Sequence, residues 1–235
     1  MSFALRQTAV TLATGALLLT LLVVFGDSAV RALQPAMQTV FEHCVPEFKV
    51  LSFGVQRERA DDVVQVLVSR QRYVVLGGQA LEPNSRGTAT ASTLLLQTLF
   101  GPLLALWVSL AWPIQNKRRR IHEGTQTPTG SRVQRAGLRS TLPLTSRLVM
   151  RLTLAFVLAV MLAVVDTPVV LGAQLWALMV DHFTPGNSSP LIALSAMLQG
   201  GGRYALGLAA GVVAVAVADR LVETVYATDG GAAPA

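Results

Sequence analysis

Residues 151–172 read RLTLAFVLAVMLAVVDTPVVLG. Between Arg151 and Asp166 fourteen consecutive side chains carry no charge. A helix needs about 20 mainly apolar residues to cross a hydrocarbon core about 30 Å thick. A stretch beginning near Leu148 and closing around Leu171 meets that length and reads as a transmembrane helix. Pro168 has no amide hydrogen and is expected to end or kink it.

Three further stretches share this character. From Gln7 to Gly26 no charge interrupts QTAVTLATGALLLTLLVVFG, with Arg6 just ahead of it. Its apolar region is longer than that of a secretory leader and no clean small-x-small site follows, so it reads as an anchor over residues 1–26. A second span falls in the charge-free interval from Gly87 to Asn116, over residues 92–112, with Trp107 and Trp112 suited to an interfacial belt. The last covers residues 201–222, with fifteen residues between Arg203 and Asp219. The fold class expected is therefore an α-helical integral membrane protein with four transmembrane helices and a small α+β insert.

Composition agrees with a bilayer setting. Of 235 residues 52% are hydrophobic and 14% charged, where a soluble domain carries charge on about a quarter of its residues. The net charge of +6 is concentrated rather than spread over a face. Between the second and third spans lie Lys117, Arg118, Arg119, Arg120, Arg132, Arg135, Arg139 and Arg147 against the single acid Glu123. By the positive-inside rule the loop 113–147 stays in the cytoplasm. Both termini, including the tail 223–235, are then cytoplasmic, and segments 27–91 and 172–200 face outward. The basic cluster Lys117–Arg120 lacks interleaved aromatics and is tethered by spans on both sides, which argues against nucleic acid and for lipid headgroups and orientation. Only Lys49 and Lys117 are lysines among 19 basic residues, in a chain rich in Ala, Val, Leu and Gly. That usage fits a bacterium of high genomic GC content and places the chain in an inner membrane.

Segment 27–91 carries seven basic and seven acidic residues. Val30, Leu33, Met37, Val40, Phe41 and Cys44 recur at helical spacing, which predicts an amphipathic helix continuing from the first span across Pro35. After Pro46 the stretches FKVLSFGVQR, DDVVQVLVSR and QRYVVLGG are rich in β-branched and aromatic residues and predict a small antiparallel meander, with a fourth strand at QALEP.

Residues suited to chemistry are few. Ionisable groups inside spans are functional candidates because their burial in lipid is costly. Asp166 lies about 27 Å along the third span from Leu148, at the outer end where Arg203 begins the fourth. The two can pair and pin their helices, or reach water separately. Gly207 and Gly211 form a G-x-x-x-G unit, extended by Ala210, Ala214 and Ala218, that suits close helix packing within the chain or onto a partner. Gly200–Gly202 lacks the lysine and spacing of a phosphate-binding loop but can break the helix. His43 beside Cys44 has no third group to make a nucleophile, and one cysteine makes no intrachain disulfide. His122 and His182 fall in different compartments, so no metal site is expected. Asn187-Ser188-Ser189 fits a glycosylation sequon of little meaning in a bacterium. No catalytic set and no cofactor is expected.

VLSFGV at 50–55, RQRYVVLGG at 70–78 followed by a span ending in AWP at 111–113, and QGGGRYALGL at 199–208 together resemble the integral membrane proteins associated with exosortase H, a bacterial protein-sorting transpeptidase. The resemblance implies an accessory role and transfers no functional residues. The reading is a non-enzymatic scaffold that binds lipid and another membrane or envelope protein. The alternative is a subunit of a membrane transporter or membrane-embedded enzyme. Oligomeric state is not legible.

Overall fold

A computed structural model describes residues 3–76, 78–112, 144–184 and 189–229. The basic cluster Lys117–Arg120, His122, the sequon's Asn187 and Ser188, and the tail from Gly230 lie outside the described residues.

The first helix, α1 (Phe3–Cys44), runs 42 residues without interruption, about 63 Å at 1.5 Å per residue. Its first half exposes Val10, Leu12, Leu17, Val23, Val24 and Phe25, while its second half buries Val30, Met37 and Phe41. The amphipathic helix thus grows out of the apolar one, and Pro35 sits inside it. Cys44, expected on the buried stripe, is exposed, and Val45 one position later takes the inward place.

Strands β1 (Phe48–Glu58) and β2 (Asp61–Arg70) form an antiparallel hairpin closed at Arg59, whose φ is 57°. The chain then departs from the expected meander. Strands β3 (Val74–Leu76) and β4 (Gln79–Leu81) pair only with each other, so the QALEP strand exists but outside the main sheet. The third strand of that sheet is β5 (Asn84–Leu94), which pairs antiparallel with β2 from Val63↔Leu94 to Ser69↔Thr88 and gives the order β1-β2-β5. Its sequence NSRGTATASTL has no large apolar residue before Leu94. Ala89 and Ala91 join the core beside Val68 and Val66, and α3 packs over this strand.

The strand passes without a loop into α2 (Leu95–Ala111). The span expected at 92–112 is corrected accordingly: Ser92–Leu94 belong to the sheet, and the helix is 17 residues, about 25 Å. Three helices are long and apolar enough to cross a membrane, namely Thr8–Cys44, Leu148–Phe183 and the run Pro190–Val222, while α2 is a shorter apolar helix. They mark the chain as membrane-embedded. Gly26 of α1 packs on Leu99 and Gly15 on Trp107, so α1 and α2 run antiparallel.

Helix α3 (Leu144–Phe183) runs 40 residues and continues past Pro168 rather than ending there. Pro168 costs the Val164 carbonyl its amide partner, but buried Ala163, Val170, Leu171 and Leu175 anchor the turns on either side. Segment 172–200, expected as a connection, is therefore mostly helical, with α4 (Pro190–Met197) capped by the Ser189 side chain accepting from the Ile192 amide. A π turn over Leu198–Gly202, with Gly201 at φ 118°, joins it to α5 (Arg203–Asp229).

One core serves the sheet and the helices. Val30, Met37, Phe41 and Val45 from α1 and its exit, Phe53, Val64, Val66 and Val68 from the sheet, Leu99 from α2, and Ala163, Leu171 and Leu175 from α3 form one apolar cluster. The sheet and the core beneath it form a head built on the second halves of α1 and α3, whose first halves lie in the helical bundle.

Candidate functional site

Among the described residues two ion pairs join α3 to α5. Arg203 Nε lies 2.8 Å from Asp166 Oδ2, with both side chains under 10% exposed. At the opposite end Arg151 grips Asp219, Nη2 lying 2.7 and 2.8 Å from the two carboxylate oxygens and Nε 3.1 Å from Oδ1. Such a fork matches the planar guanidinium to the carboxylate. The pairings make α3 and α5 antiparallel. Arg151 and Asp166 are fifteen residues apart on one helix, and Arg203 and Asp219 sixteen apart on the other, so the charges sit about 22–24 Å apart along each axis.

The structure brings Asp166 and Arg203 together. Arg151, near the start of its helix, turns inward and is 3% exposed, while the Asp219 side chain is 46% exposed. The signal for this second pair was present in the reciprocal spacing: arginine followed by aspartate on each of two helices, at nearly the same interval, pairs at both ends only if the helices are antiparallel.

The two pairs differ in completeness. Among the described residues Asp166 Oδ1, Thr167 Oγ, Arg203 Nε and Arg203 Nη2 are buried without a hydrogen-bond partner, as is Arg151 Nη1. Arg203 Nε is close enough to Asp166 for an ion pair, but its N–H is not aimed at the oxygen.

Helix α2 sets the spacing at the centre. A side chain at Gly207 would collide with the Gly101 carbonyl, and one at Gly211 would meet Val108 Cβ at 2.7 Å and the Ala105 carbonyl at 2.8 Å. The G-x-x-x-G face is therefore filled from within the chain. Gly101, beside Pro102, is its counterpart on α2, and a side chain there would meet the Arg203 carbonyl at 3.1 Å. Ser109 adds a buried hydroxyl bonded to the Ala105 carbonyl at 2.9 Å. Trp107 donates through Nε1 to the Thr11 carbonyl of α1 at 3.1 Å.

The remaining candidates do not converge. His43 Nδ1 contacts the Thr39 carbonyl of its own helix, Cys44 is exposed, and His182 packs edge-on to Phe183 at 4.7 Å. Among the described residues no group of three His, Cys, Asp or Glu side chains is placed to hold a metal ion. The arrangement around Asp166 and Arg203 is charge-balanced and buried, which strengthens each contact. Comparison with protein-family models, with curated proteins and with solved structures finds no match.

Proposed function

We propose that this chain is a non-enzymatic accessory protein of a bacterial inner membrane that binds another membrane or envelope protein. In this reading α2 serves as a fourth span, both termini are cytoplasmic, and the sheet stands on the outer side. An exosortase-type protein-sorting system is the setting that the sequence resemblance suggests.

The observation that carries the reading is where exposed apolar side chains stop. On α1 they end at Phe25, and Asp27 and Arg31 form an exposed ion pair one turn beyond. Gly26 packs on Leu99, which shares the core with Ala163, one turn short of Asp166. On α3 and α4 the exposed apolar side chains continue past that level: Leu178 is 56% exposed, Leu194 45% and Met197 66%. Counted along α3, Leu178 stands about 18 Å beyond Asp166, while Leu194 and Met197 lie on α4, on the far side of the π turn from Arg203. Apolar surface that leaves the lipid zone on one side of a protein suits a partner rather than water. Trp176 and Met179, neighbours of Leu178 on α3, pack against the core that the helices share with the sheet, which ties this part of the surface to the head.

Photo-crosslinking in native membranes tests this. A crosslinker at residue 178 or 194 is expected to give a discrete protein adduct that a crosslinker at lipid-facing residue 10 does not, with the same protein co-purifying in gentle detergent. No adduct at 178 or 194, together with a monomer that purifies alone, removes the reading. A second reading, a subunit of a transporter or membrane-embedded enzyme, draws on the buried polar atoms around Asp166 and Arg203. Alanine at either position would then abolish activity while leaving the amount of protein unchanged.

A further inference from the structure

We propose that Asp166, Thr167 and Arg203 form a binding site for ordered water where the outer ends of the spans meet the head. The three side chains are 7%, 0% and 5% exposed, and among the described residues four of their polar atoms have no hydrogen-bond partner, although one of them, Arg203 Nε, lies at ion-pair distance from Asp166. Buried polar groups in folded proteins are nearly always hydrogen-bonded, to protein or to ordered water. Pro168 adds to the demand, since it offers no amide hydrogen to the carbonyl of Val164 one turn below.

The atoms on offer select the ligand. Arg203 presents donors, Asp166 Oδ1 presents an acceptor, and the Thr167 hydroxyl is both. Asp166 and Arg203 already balance each other's charge. An anion could accept from Arg203 but would meet the carboxylate with no proton to give. A cation could bind Asp166 but would face the guanidinium. A small neutral molecule that donates and accepts satisfies both, and water is that molecule. The second pair provides the contrast. There both carboxylate oxygens of Asp219 are engaged by Arg151 and the Asp219 side chain reaches solvent.

The test uses the full-length protein in lipid nanodiscs. X-ray radiolysis in oxygen-18 water marks side chains next to bound water. Labelling of residues 164–168 several-fold above that of residues 155–160 on the same helix is the expected result, and equal labelling overturns the proposal. Thermal unfolding of Thr167→Val supplies an independent sign. In a dry site the loss of an unpartnered hydroxyl stabilises or changes nothing, whereas in a hydrated site the water loses a partner and the melting temperature falls by several degrees. Thr167→Ser, which keeps the hydroxyl, is expected to melt within a degree or two of the parent. A rise or no change for Thr167→Val sinks the inference, and if neither variant folds the labelling of the parent protein decides.

Discussion

Arg151 is buried while its partner Asp219 is half in solvent, although the two share three contacts of 3.1 Å or less. Removing one member of such a pair is not equivalent to removing the other. Asp219→Asn leaves a buried guanidinium with no counter-charge, whereas Arg151→Met leaves a carboxylate that already reaches water. The expected loss for Asp219→Asn is about 3–5 kcal/mol, with a clearly smaller loss for Arg151→Met. Thermal unfolding in one detergent compares them, and a larger loss for Arg151→Met would mean that packing of the arginine outweighs its charge.

Asp166 and Arg203 are both buried, so their single alanine variants should be similarly damaging, each by about 3–5 kcal/mol. The exchanged variant Asp166→Arg with Arg203→Asp is expected to recover part of that loss. A double variant no more stable than the weaker single would show that the sites do not act through each other.

The contact between α2 and α5 has no room to give. Gly211→Val places new atoms against Val108 and the Ala105 carbonyl, and Gly207→Val against Gly101. Overpacking of this kind costs about 1–3 kcal/mol, and here rigid backbone is among the obstacles. Gly200→Ala, which meets nothing within 4 Å, is the matched control and should leave the unfolding temperature within a degree or two.

Cys44 is the single cysteine of the chain and is exposed at the far end of α1. A membrane-impermeant maleimide should therefore label it in spheroplasts without permeabilisation. Reporter fusions extend the check: a fusion at residue 60 should report the outer side and one at residue 125 the cytoplasm. Labelling of Cys44 only after permeabilisation would reverse the proposed topology.

The bilayer-length apolar runs of α1 and α3 were legible because a charge-free stretch of that length has few other homes. The continuation of α1 as an amphipathic helix was legible from the 3.6-residue recurrence of Val30, Met37 and Phe41, and β1 and β2 from their β-branched content. Strand β5 was hidden. Its alanines and threonines carry no periodic apolar signal, and only pairing with β2 and cover from α3 make it a strand. The same fact shortened α2, since the apolar count cannot tell where a buried strand ends and a helix begins. Pro168 does not end α3 for a related reason: local propensity disfavours it within a helix, and the packing of Leu171 and Leu175 holds the helix together beyond it.

At the candidate site the sequence by itself determined which residues could matter, because charges inside apolar runs are costly enough to single out Asp166 and Arg203, and the small residues at 207 and 211 stand out as a packing face. It could not say whether the charges met each other or water, nor which helix filled the glycine face. Those questions belong to tertiary structure, for the energy of a buried ion pair or a backbone contact depends on the position of a second element far away in the chain. The antiparallel docking of α3 on α5 decided that Arg151 turns inward to Asp219, and α2 decided that Gly207 and Gly211 are already occupied.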